Sequence, residues 1–183
     1  MRKAVLLHIC CVIDAIPAVY TLRESGYMVW GYFHNPNIMP AEEYGRRLHD
    51  VYRLAFDWDF PVLVPLYYPV SFLRSTRSLW REPEKGKRCE ECIYANLSAT
   101  ASMAELMGIP FFATTLTASR HKNLDIINRL GKEAGSRYGV EYLESAFRKK
   151  GGQMLASRVA REKSFYRQNY CGCVYSLRER IMR

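Results

Sequence analysis

Short apolar runs alternate along the chain with longer segments in which apolar residues recur at helical spacing. The first run, KAVLLHICC (residues 3–11), is rich in Leu and β-branched residues, as is typical of a strand buried on both faces. The segment IPAVYTLRESG (16–26) follows it and predicts a helix that ends at a glycine. Further predicted strands are YMVWGYFHN (27–35), PVLVPLYY (61–68), IPFFATTL (109–116) and VEYLESAF (140–147). Further predicted helices lie within 36–58, 70–80, 92–108 and 122–139, and 153–183 is largely helical.

The order of these elements predicts an α/β fold. Strands that alternate with helices form a parallel sheet with helices on both faces, which is a three-layer arrangement. The chain has 183 residues, so we expect a single domain, 1–183, in which the helical segment 153–183 packs over the site. Ligands of open parallel sheets gather at the carboxyl ends of the strands. The adjacent cysteines of HICCVID (8–14) follow the first strand, and the predicted site therefore begins there.

The net charge of the chain and its expected cellular compartment limit the classes of function that fit the sequence. Lys and Arg number 27 against 18 acidic residues, which gives a net charge of +9 and favours a polyanion such as nucleic acid. A basic, solvated surface without a partner is the plain alternative. His8, Asp14 and Pro17 interrupt the most apolar stretch, so neither a signal peptide nor a membrane span is predicted. We expect a cytoplasmic protein whose thiols are free or bound to metal.

The six cysteines form three close pairs: Cys10 with Cys11, Cys89 with Cys92, and Cys171 with Cys173. A buried apolar cysteine is the common alternative for any one of them, but it does not explain three pairs. Cys89 and Cys92 lie at a predicted helix start, where they share a face and where the helix dipole favours thiolates. A CxxC pair also suits a redox protein, which would leave four thiols unexplained. Metal ligation explains more of the sequence.

The vicinal pair suggests two neighbouring centres. Adjacent residues that leave a strand point in different directions, so Cys10 and Cys11 would serve different metals. Six thiols and Asp14 exceed the four ligands that one tetrahedral zinc or one cluster takes. The working partition gives Cys89, Cys92, one vicinal thiol and Asp14 to a cluster, and gives the other three thiols to a second metal. Asp14 is alternatively an N-cap or first-turn acid.

Several segments resemble the epoxyqueuosine reductases of the QueH type. They are LLHICC, NPNIMPAEEY, RCEEC, TTLTASRHKN, FRKKGG and YRQNYCGCVYS, and they run in order from Leu6 to Ser176. The resemblance implies a nucleotide-binding-like fold similar to that of the PP-loop (HUP-like) ATPases. The glycine-rich phosphate loop of those ATPases is absent, because HICCVID contains no glycine, and ATP use is not expected.

The resemblance also implies a reaction and its components. The reaction reduces the epoxide of epoxyqueuosine, at the wobble position of tRNA, to the alkene of queuosine, which is the last step of queuosine biosynthesis. The expected cofactors are a 4Fe-4S cluster and a second iron ion, and the expected partners are that tRNA and an external low-potential electron donor. An epoxide oxygen leaves as water after two electrons and two protons are taken up, which a metal supports better than side chains alone.

The predicted site residues fall into three groups. The metal ligands are Cys10, Cys11, Asp14, Cys89, Cys92, Cys171 and Cys173. The catalytic candidates are Tyr170, His8 and Cys11, with His34 as a further proton donor; for the histidines, a satisfied core or turn role is the plain alternative. The substrate-binding candidates are Asn35, Asn37, Ser119, Lys122, Arg148 and Arg167, of which the two asparagines are alternatively loop-ordering residues.

Three other classes of protein stay open at this point. A zinc-stabilised RNA-binding module without catalysis would use the same thiols and the same basic surface. A sulfur-transfer enzyme of the PP-loop type would need the missing phosphate loop. A thiol redox protein would carry cysteines that alkylating reagents reach without a chelator.

Overall fold

The computed structural model describes residues 3–149 and 151–182. Five strands and seven α-helices alternate along this part of the chain. The strands are β1 (Ala4–His8), β2 (Met28–Tyr32), β3 (Val62–Leu63), β4 (Phe111–Thr114) and β5 (Glu141–Tyr142). The helices are α1 (Val12–Glu24), α2 (Ala41–Asp57), α3 (Pro69–Thr76), α4 (Lys87–Leu106), α5 (Leu124–Tyr138), α6 (Gly152–Glu162) and α7 (Val174–Ile181). Short 3-10 turns follow α3, at Arg77–Leu79, and β4, at Thr115–Ala118.

The strands form one parallel sheet in the order β3-β2-β1-β4-β5. The chain winds outward from β1 to β3 and then returns to place β4 on the other side of β1. The strand order therefore reverses between β1 and β4, where His8 pairs in register with Thr114. Such a reversal opens a crevice at the carboxyl ends of the two strands, where ligands of α/β sheets bind.

The sheet separates two apolar layers. Val5 and Leu7 of β1 point into a core shared with α1, α2 and α6, whereas Leu6 joins a core formed with α4 and α5. All three side chains are fully buried, as expected for a central parallel strand covered on both faces. The α/β class and the three-layer arrangement predicted from the sequence are confirmed.

Two elements begin or end elsewhere than their sequence patterns suggested. Helix α1 starts at Val12, before the predicted start at residue 16, and Pro17 lies inside it, although prolines favour the first turn. Strand β3 has only two residues. It is an edge strand between Pro61 and Pro65, and neither proline has an N–H to donate to a ladder.

The segment predicted to be largely helical, 153–183, divides into α6 and α7, and Arg183 lies outside the described residues. Eleven residues, 163–173, lie between the two helices and adopt no helix. Ser164 and Gly172 both have positive φ, which interrupts helical geometry. At Gly172 a Cβ would lie 3.1 Å from the Arg47 guanidinium, so only glycine suits that close approach. This non-helical stretch, which we call the C-terminal loop (163–173), carries two of the predicted metal ligands.

Candidate metal centre

A cleft of about 430 Å³ opens at the carboxyl ends of β1 and β4. Four of the six cysteines line it: Cys10, Cys89, Cys92 and Cys171. They come from the end of β1, the first turns of α4 and the C-terminal loop, so they are brought together by the fold and not by sequence proximity. The crevice where the strand order reverses is therefore rich in sulfur.

Cys10, Cys11 and Asp14 form the first thiol group, which we call the vicinal group. The Cys10 Sγ lies 4.0 Å from the Cys11 Sγ and 3.6 Å from Asp14 Oδ2. One ligand atom from each residue lies within 4.8 Å of the other two, which suits a shared metal ion. Asp14 is also a first-turn residue of α1, which is its alternative placement; its role as a metal ligand stays a prediction.

The vicinal thiols do not point apart as the strand periodicity suggested. Strand β1 ends at His8, and Cys11 is already the N-cap of α1 with an extended backbone (φ −164°). The alternation of side chains holds only within a strand, and the turn into α1 brings the two sulfurs to one side. The structure thus groups both vicinal thiols with Asp14, unlike the partition suggested by the sequence.

Neighbouring polar groups hold the vicinal group in place. Thr115 Oγ1 accepts a hydrogen bond from the Cys10 backbone N–H (3.2 Å) and lies 3.3 Å from its Sγ. Gln168 Nε2 donates to the Cys11 Sγ at 3.0 Å. The hydrogen bond between the two vicinal thiols, burial and the Asp14 charge all raise the pKa of Cys11. Burial likewise raises the pKa of Asp14. These groups therefore favour a positive ion beside them when they ionise.

The other four cysteines form the second group, which we call the four-thiol group. Cys89 and Cys92 lie one turn apart at the start of α4, and the Lys85 backbone N–H donates to the Cys89 Sγ at 3.2 Å. Cys173 caps α7 and accepts from the Ser176 N–H at 3.4 Å. Burial, followed by the charges of Cys171 and Cys173, raises the pKa of both α4 thiols. Both α4 thiols therefore lie near enough to Cys171 and Cys173 to be influenced by their charges.

Burial outweighs the helix dipole at Cys89 and Cys92. The position of the pair at a helix start predicted thiolates, whereas burial, as the largest influence, raises the pKa of both thiols. A neutral thiol is favoured where water is excluded and no cation compensates the charge. A bound metal would provide that compensation.

Lys122 places an ammonium group among the thiols. Its Nζ donates to the Cys171 Sγ at 3.4 Å, and the Cys171 thiolate, as the largest influence, raises the pKa of Lys122 well above its usual range. Cys92 and Cys10 act in the same direction. Lys122 is therefore a fixed positive charge between the vicinal and four-thiol groups. The sequence had placed it among the substrate-binding residues.

Arg47 of α2 anchors the C-terminal loop. Its guanidinium pairs with Glu43 at 2.7 Å and donates to the carbonyls of Tyr170 and Cys171, both at 3.1 Å. Both side chains of the ion pair are almost fully buried. The Glu43 carboxylate also accepts from Tyr166 Oη at 2.8 Å. A buried ion pair within α2 thus positions the guanidinium whose long-range hydrogen bonds hold Cys171 at the cleft.

The predicted proton donors are all bonded within the fold. His8 Nδ1 lies 2.9 Å from Thr114 Oγ1, its Nε2 lies 3.2 Å from the His34 carbonyl, and burial lowers its pKa to about 4. His34 contacts Asn96 at 3.2 Å, and burial lowers its pKa as well. Tyr170 Oη donates to the Met39 carbonyl at 2.7 Å, and burial raises its pKa to about 12. The two histidines are therefore neutral near pH 7, as expected if they have the structural role, in the core or in a turn, that was the alternative to proton donation.

Most predicted substrate-binding residues also stabilise loops. Asn35 donates to the Ile9 carbonyl at 2.8 Å, and Asn37 accepts from Asn96 at 3.0 Å. Arg148 donates to the carbonyls of Ser119 and Lys122, at 2.9 and 3.2 Å, and so fixes the loop that carries Lys122. Asn35, Asn37 and Ser119 nevertheless line the cleft. Lys150 of the FRKKGG segment lies outside the described residues.

A second groove, of about 880 Å³, adjoins the cleft and is rich in arginine. Asp14, Ser119, His121 and Gln168 line both, so the two spaces share a wall. Four exposed arginines border this arginine groove: Arg120, Arg158, Arg161 and Arg167. Of the predicted substrate-binding residues, Arg167 lies here and not in the cleft.

Three residues important at the site were not predicted: Arg47, Thr115 and Gln168. Thr115 and Gln168 lie within segments already singled out, TTLTASRHKN and YRQNYCGCVYS, so the proximity of Gln168 to Cys171 was an available signal. No feature of the sequence distinguishes Arg47, because an arginine in an amphipathic helix is expected to lie on the exposed face.

The residues present suit a metal cofactor. Each of the three cysteine pairs brings at least one thiol to the cleft, beside the Asp14 carboxylate, and thiolates are the ligands that iron–sulfur clusters and iron or zinc ions take. The Gln168 side chain supplies a further observation, since its buried Oε1 has no hydrogen-bond partner among residues 3–149 and 151–182. Buried polar atoms are usually hydrogen-bonded, so this oxygen is available to a group bound in the cleft.

Fold and site together define a parallel α/β protein with a thiol-rich centre at its strand-order reversal. The chain belongs to the family described as "Epoxyqueuosine reductase QueH", whose model matches residues 5–179. A relative of that name in Thermotoga maritima is 37% identical over 179 residues, which cover 96% of this chain and 91% of the relative. One in Streptococcus pyogenes serotype M1 is 35% identical and covers 96% and 71% of the two chains. The family is one of oxidoreductases, which confirms the resemblance seen in the sequence.

Among solved structures, the fold is similar to that of a predicted subunit of a tRNA methyltransferase from Methanocaldococcus jannaschii. The TM-score is 0.55 with 12% identity over 90% of each chain. This likeness supports the parallel α/β architecture alone. None of the helices within residues 3–149 and 151–182 combines the length and the hydrophobicity that a membrane span requires.

Proposed function

We propose that this protein reduces the epoxide of epoxyqueuosine in tRNA to the alkene of queuosine, with a 4Fe-4S cluster and a second iron ion as cofactors. Each of the three distant cysteine pairs brings at least one thiol to a single cleft, beside Asp14, and this arrangement carries the proposal. The family to which the chain belongs gives the reaction. A structural role for the thiols would not require every pair to reach one cleft.

The two thiol groups support a division of the metals. We assign the cluster to the four-thiol group, because four cysteine thiolates are the usual ligands of a 4Fe-4S cluster. The second iron would be held by Cys10, Cys11 and Asp14, whose ligand atoms already lie within 4.8 Å of one another. Three protein ligands leave a position open for substrate, as in catalytic metal sites.

The chemistry requires electrons, protons and a means of stabilising oxygen. When bound, the cluster would supply electrons and the second iron would act as a Lewis acid at the epoxide. Lys122 would stabilise the negative charge that develops on the departing oxygen, since its ammonium is fixed between the two thiol groups. The neutral, fully bonded His8 would shape the floor of the cleft without transferring a proton.

Gln168 would orient the substrate. Its Nε2 is fixed on the Cys11 Sγ, so its unpartnered Oε1 is held in a defined direction at the wall between cleft and arginine groove. A hydroxyl or amine of the modified base would satisfy this acceptor.

The arginine groove would receive the RNA backbone. A base must leave the stack before enzyme groups reach it, and arginines along a groove bind the flanking phosphates. The groove is continuous with the cleft at Asp14 and Gln168. Arg167, predicted as a substrate-binding residue, would therefore contact phosphate and not the epoxide.

The test combines metal analysis with product analysis. Protein purified without oxygen should be brown, should contain iron and acid-labile sulfide, and should convert epoxyqueuosine-containing tRNA to queuosine tRNA in the presence of dithionite, as seen by nucleoside mass spectrometry. The Cys92→Ala variant should fail in both measurements. A colourless protein that binds tRNA and zinc, and forms no queuosine, would instead support the zinc-stabilised RNA-binding module.

A further inference from the structure

We propose that a basic surface on the far side of the cleft from the arginine groove docks a small acidic protein that carries one electron at a time. This inference rests on the proposed function, because it concerns how the four-thiol cluster is reduced. The surface comprises α3, the 3-10 turn after it and the loop 80–87, and we call it the donor surface.

The donor surface lies directly over one cluster ligand. Cys89 is in the first turn of α4, and its Sγ accepts a hydrogen bond from the backbone of Lys85 at 3.2 Å. Lys85 is exposed, and it lines the cleft together with Cys89. One layer of loop therefore separates a predicted cluster ligand from solvent. Electron transfer slows steeply with distance, so a donor that docks here reaches the cluster by a short path.

The donor surface is positively charged. Among its exposed residues, five cations accompany the single carboxylate of Glu84. The cations are Arg74, Arg77, Arg81, Lys85 and Lys87. Within the described residues, none of the five takes part in a salt bridge. Unpaired cations on one surface attract an acidic partner and accelerate its association.

Apolar anchors accompany these charges. Trp80 is 50% exposed, and Val70 and Leu73 of α3 are each 39% exposed. The Arg81 guanidinium lies 4.8 Å from the centre of the Trp80 ring. Trp and Arg are enriched among the residues that contribute most of the binding energy at protein interfaces. A phosphate backbone, in contrast, is contacted by cationic and polar groups and not by exposed Val and Leu. The composition thus favours a protein partner over RNA.

The donor surface is also held in a fixed shape. Buried Arg88 donates to the carbonyls of Trp80 and Glu82, and its guanidinium lies 4.2 Å from the centre of the Tyr175 ring. Thr76 and Phe72 of α3 are buried, and Phe72 packs edge-on against Tyr175. A surface that is already ordered loses little entropy when a partner binds.

The donor surface and the arginine groove belong to different sides of the molecule. Helix α3 contacts α4, which packs on one face of the sheet, whereas α6 of the arginine groove contacts α1 on the other face. The electron carrier and the tRNA could therefore bind at the same time.

The reduction needs two electrons. Two reduced carriers would each lose one electron to the cluster, both epoxide C–O bonds would break, and the oxygen would leave with two protons as water while the alkene forms.

The experiment compares charge reversals on the two sides in the full-length, metal-loaded protein. Arg77→Glu/Arg81→Glu alters the donor surface, and Arg158→Glu/Arg161→Glu alters the arginine groove as the matched control. Calorimetry at low salt measures binding of an acidic 2Fe-2S ferredoxin, filter binding measures tRNA affinity, and dithionite drives turnover without a protein donor.

We expect the donor-surface variant to lose at least about tenfold in ferredoxin affinity, with unchanged tRNA affinity and unchanged turnover with dithionite. The control variant should bind ferredoxin normally and tRNA weakly. Unchanged ferredoxin affinity in the donor-surface variant, or a loss of tRNA affinity in its place, would overturn the proposal. If the wild type fails to turn over with dithionite, the proposed function is wrong. The comparison of ferredoxin affinities then still shows whether a protein partner binds at the donor surface.

Discussion

The vicinal group and the four-thiol group differ in how the chain assembles them. Cys10, Cys11 and Asp14 lie within five residues, at the junction of a central strand and the helix it feeds. The four-thiol group joins the start of α4 to the C-terminal loop, about eighty positions later in the sequence. The first site is built by local geometry on a rigid core, whereas the second exists only when distant segments meet.

The difference has a consequence for stability. The residues before and after the vicinal thiols, Ile9 and Val12, are fully buried in the core, so the vicinal group is held by the same packing that holds the sheet. The C-terminal loop has no strand or helix of its own and depends on Arg47, Tyr166 and Tyr170 for its position. Substitutions that disturb the C-terminal loop should therefore affect the four-thiol group more than the vicinal group.

The largest effect is expected for Arg47→Met. This change leaves the buried Glu43 carboxylate without its ion pair and releases two loop carbonyls, so the free energy of unfolding should fall by about 3–5 kcal/mol. Denaturant titration of the metal-free protein measures it, with Arg47→Lys as the variant that keeps the charge. A loss below about 1 kcal/mol, typical of a surface ion pair, would show that the loop does not depend on this anchor.

Lys122→Met should slow turnover, since the Lys122 ammonium lies between the two thiol groups. Without the ammonium, the charge on the departing oxygen loses a fixed partner, and kcat with dithionite should fall about 10²–10³-fold. Lys122→Arg should restore part of the rate. Iron content, measured in parallel, should stay the same in both variants. Full activity in Lys122→Met would remove Lys122 from the chemistry.

Most of the fold could be predicted from the sequence, because continuous apolar runs and amphipathic segments follow directly from burial. The short edge strands and the non-helical C-terminal loop could not. The loop breaks helical geometry at Ser164, a residue without a strong turn preference, and at Gly172, whose role depends on the approach of Arg47. Such contacts are tertiary and leave no local pattern.

The cysteines at the site were predictable, but their grouping was not. Close cysteine pairs are conspicuous in a sequence, and at least one member of each pair lines the cleft, whereas their metal ligation stays a prediction. The direction of Cys11, in contrast, depends on where β1 ends, and element boundaries are the least certain part of a sequence-based assignment. The role of Lys122 beside Cys171 likewise depends on a contact across 49 positions. The assignment of metals to the two groups stays a prediction.

Thr115→Val tests the support of the vicinal group. The change leaves the Cys10 N–H without its acceptor, which should cost about 1–3 kcal/mol in the free energy of unfolding. Thr115→Ser keeps the hydroxyl and serves as the control. The binding of the second iron should weaken, whereas the sulfide content of the four-thiol group should not change. A stability equal to that of the wild type would indicate that another group satisfies this N–H.

The smallest effect is expected at the arginine groove. Arg161→Ala removes one candidate phosphate contact, so tRNA affinity should fall a few-fold and the slope of log affinity against log salt concentration should become shallower by about 1. A salt titration of tRNA binding measures both. Arg137→Ala, on α5, is a matched control that should leave the slope unchanged. Equal slopes for wild type and Arg161→Ala would argue that RNA passes elsewhere.

The central claim is that the two thiol groups hold different metals side by side. Mössbauer spectroscopy of anaerobically reconstituted Cys92→Ala and Asp14→Asn tests it most directly, with labile sulfide measured on the same samples. The account predicts that Cys92→Ala loses the cluster signal and the sulfide, whereas Asp14→Asn keeps both and loses only the signal of the separate iron. Loss of the same signal from both variants would contradict it.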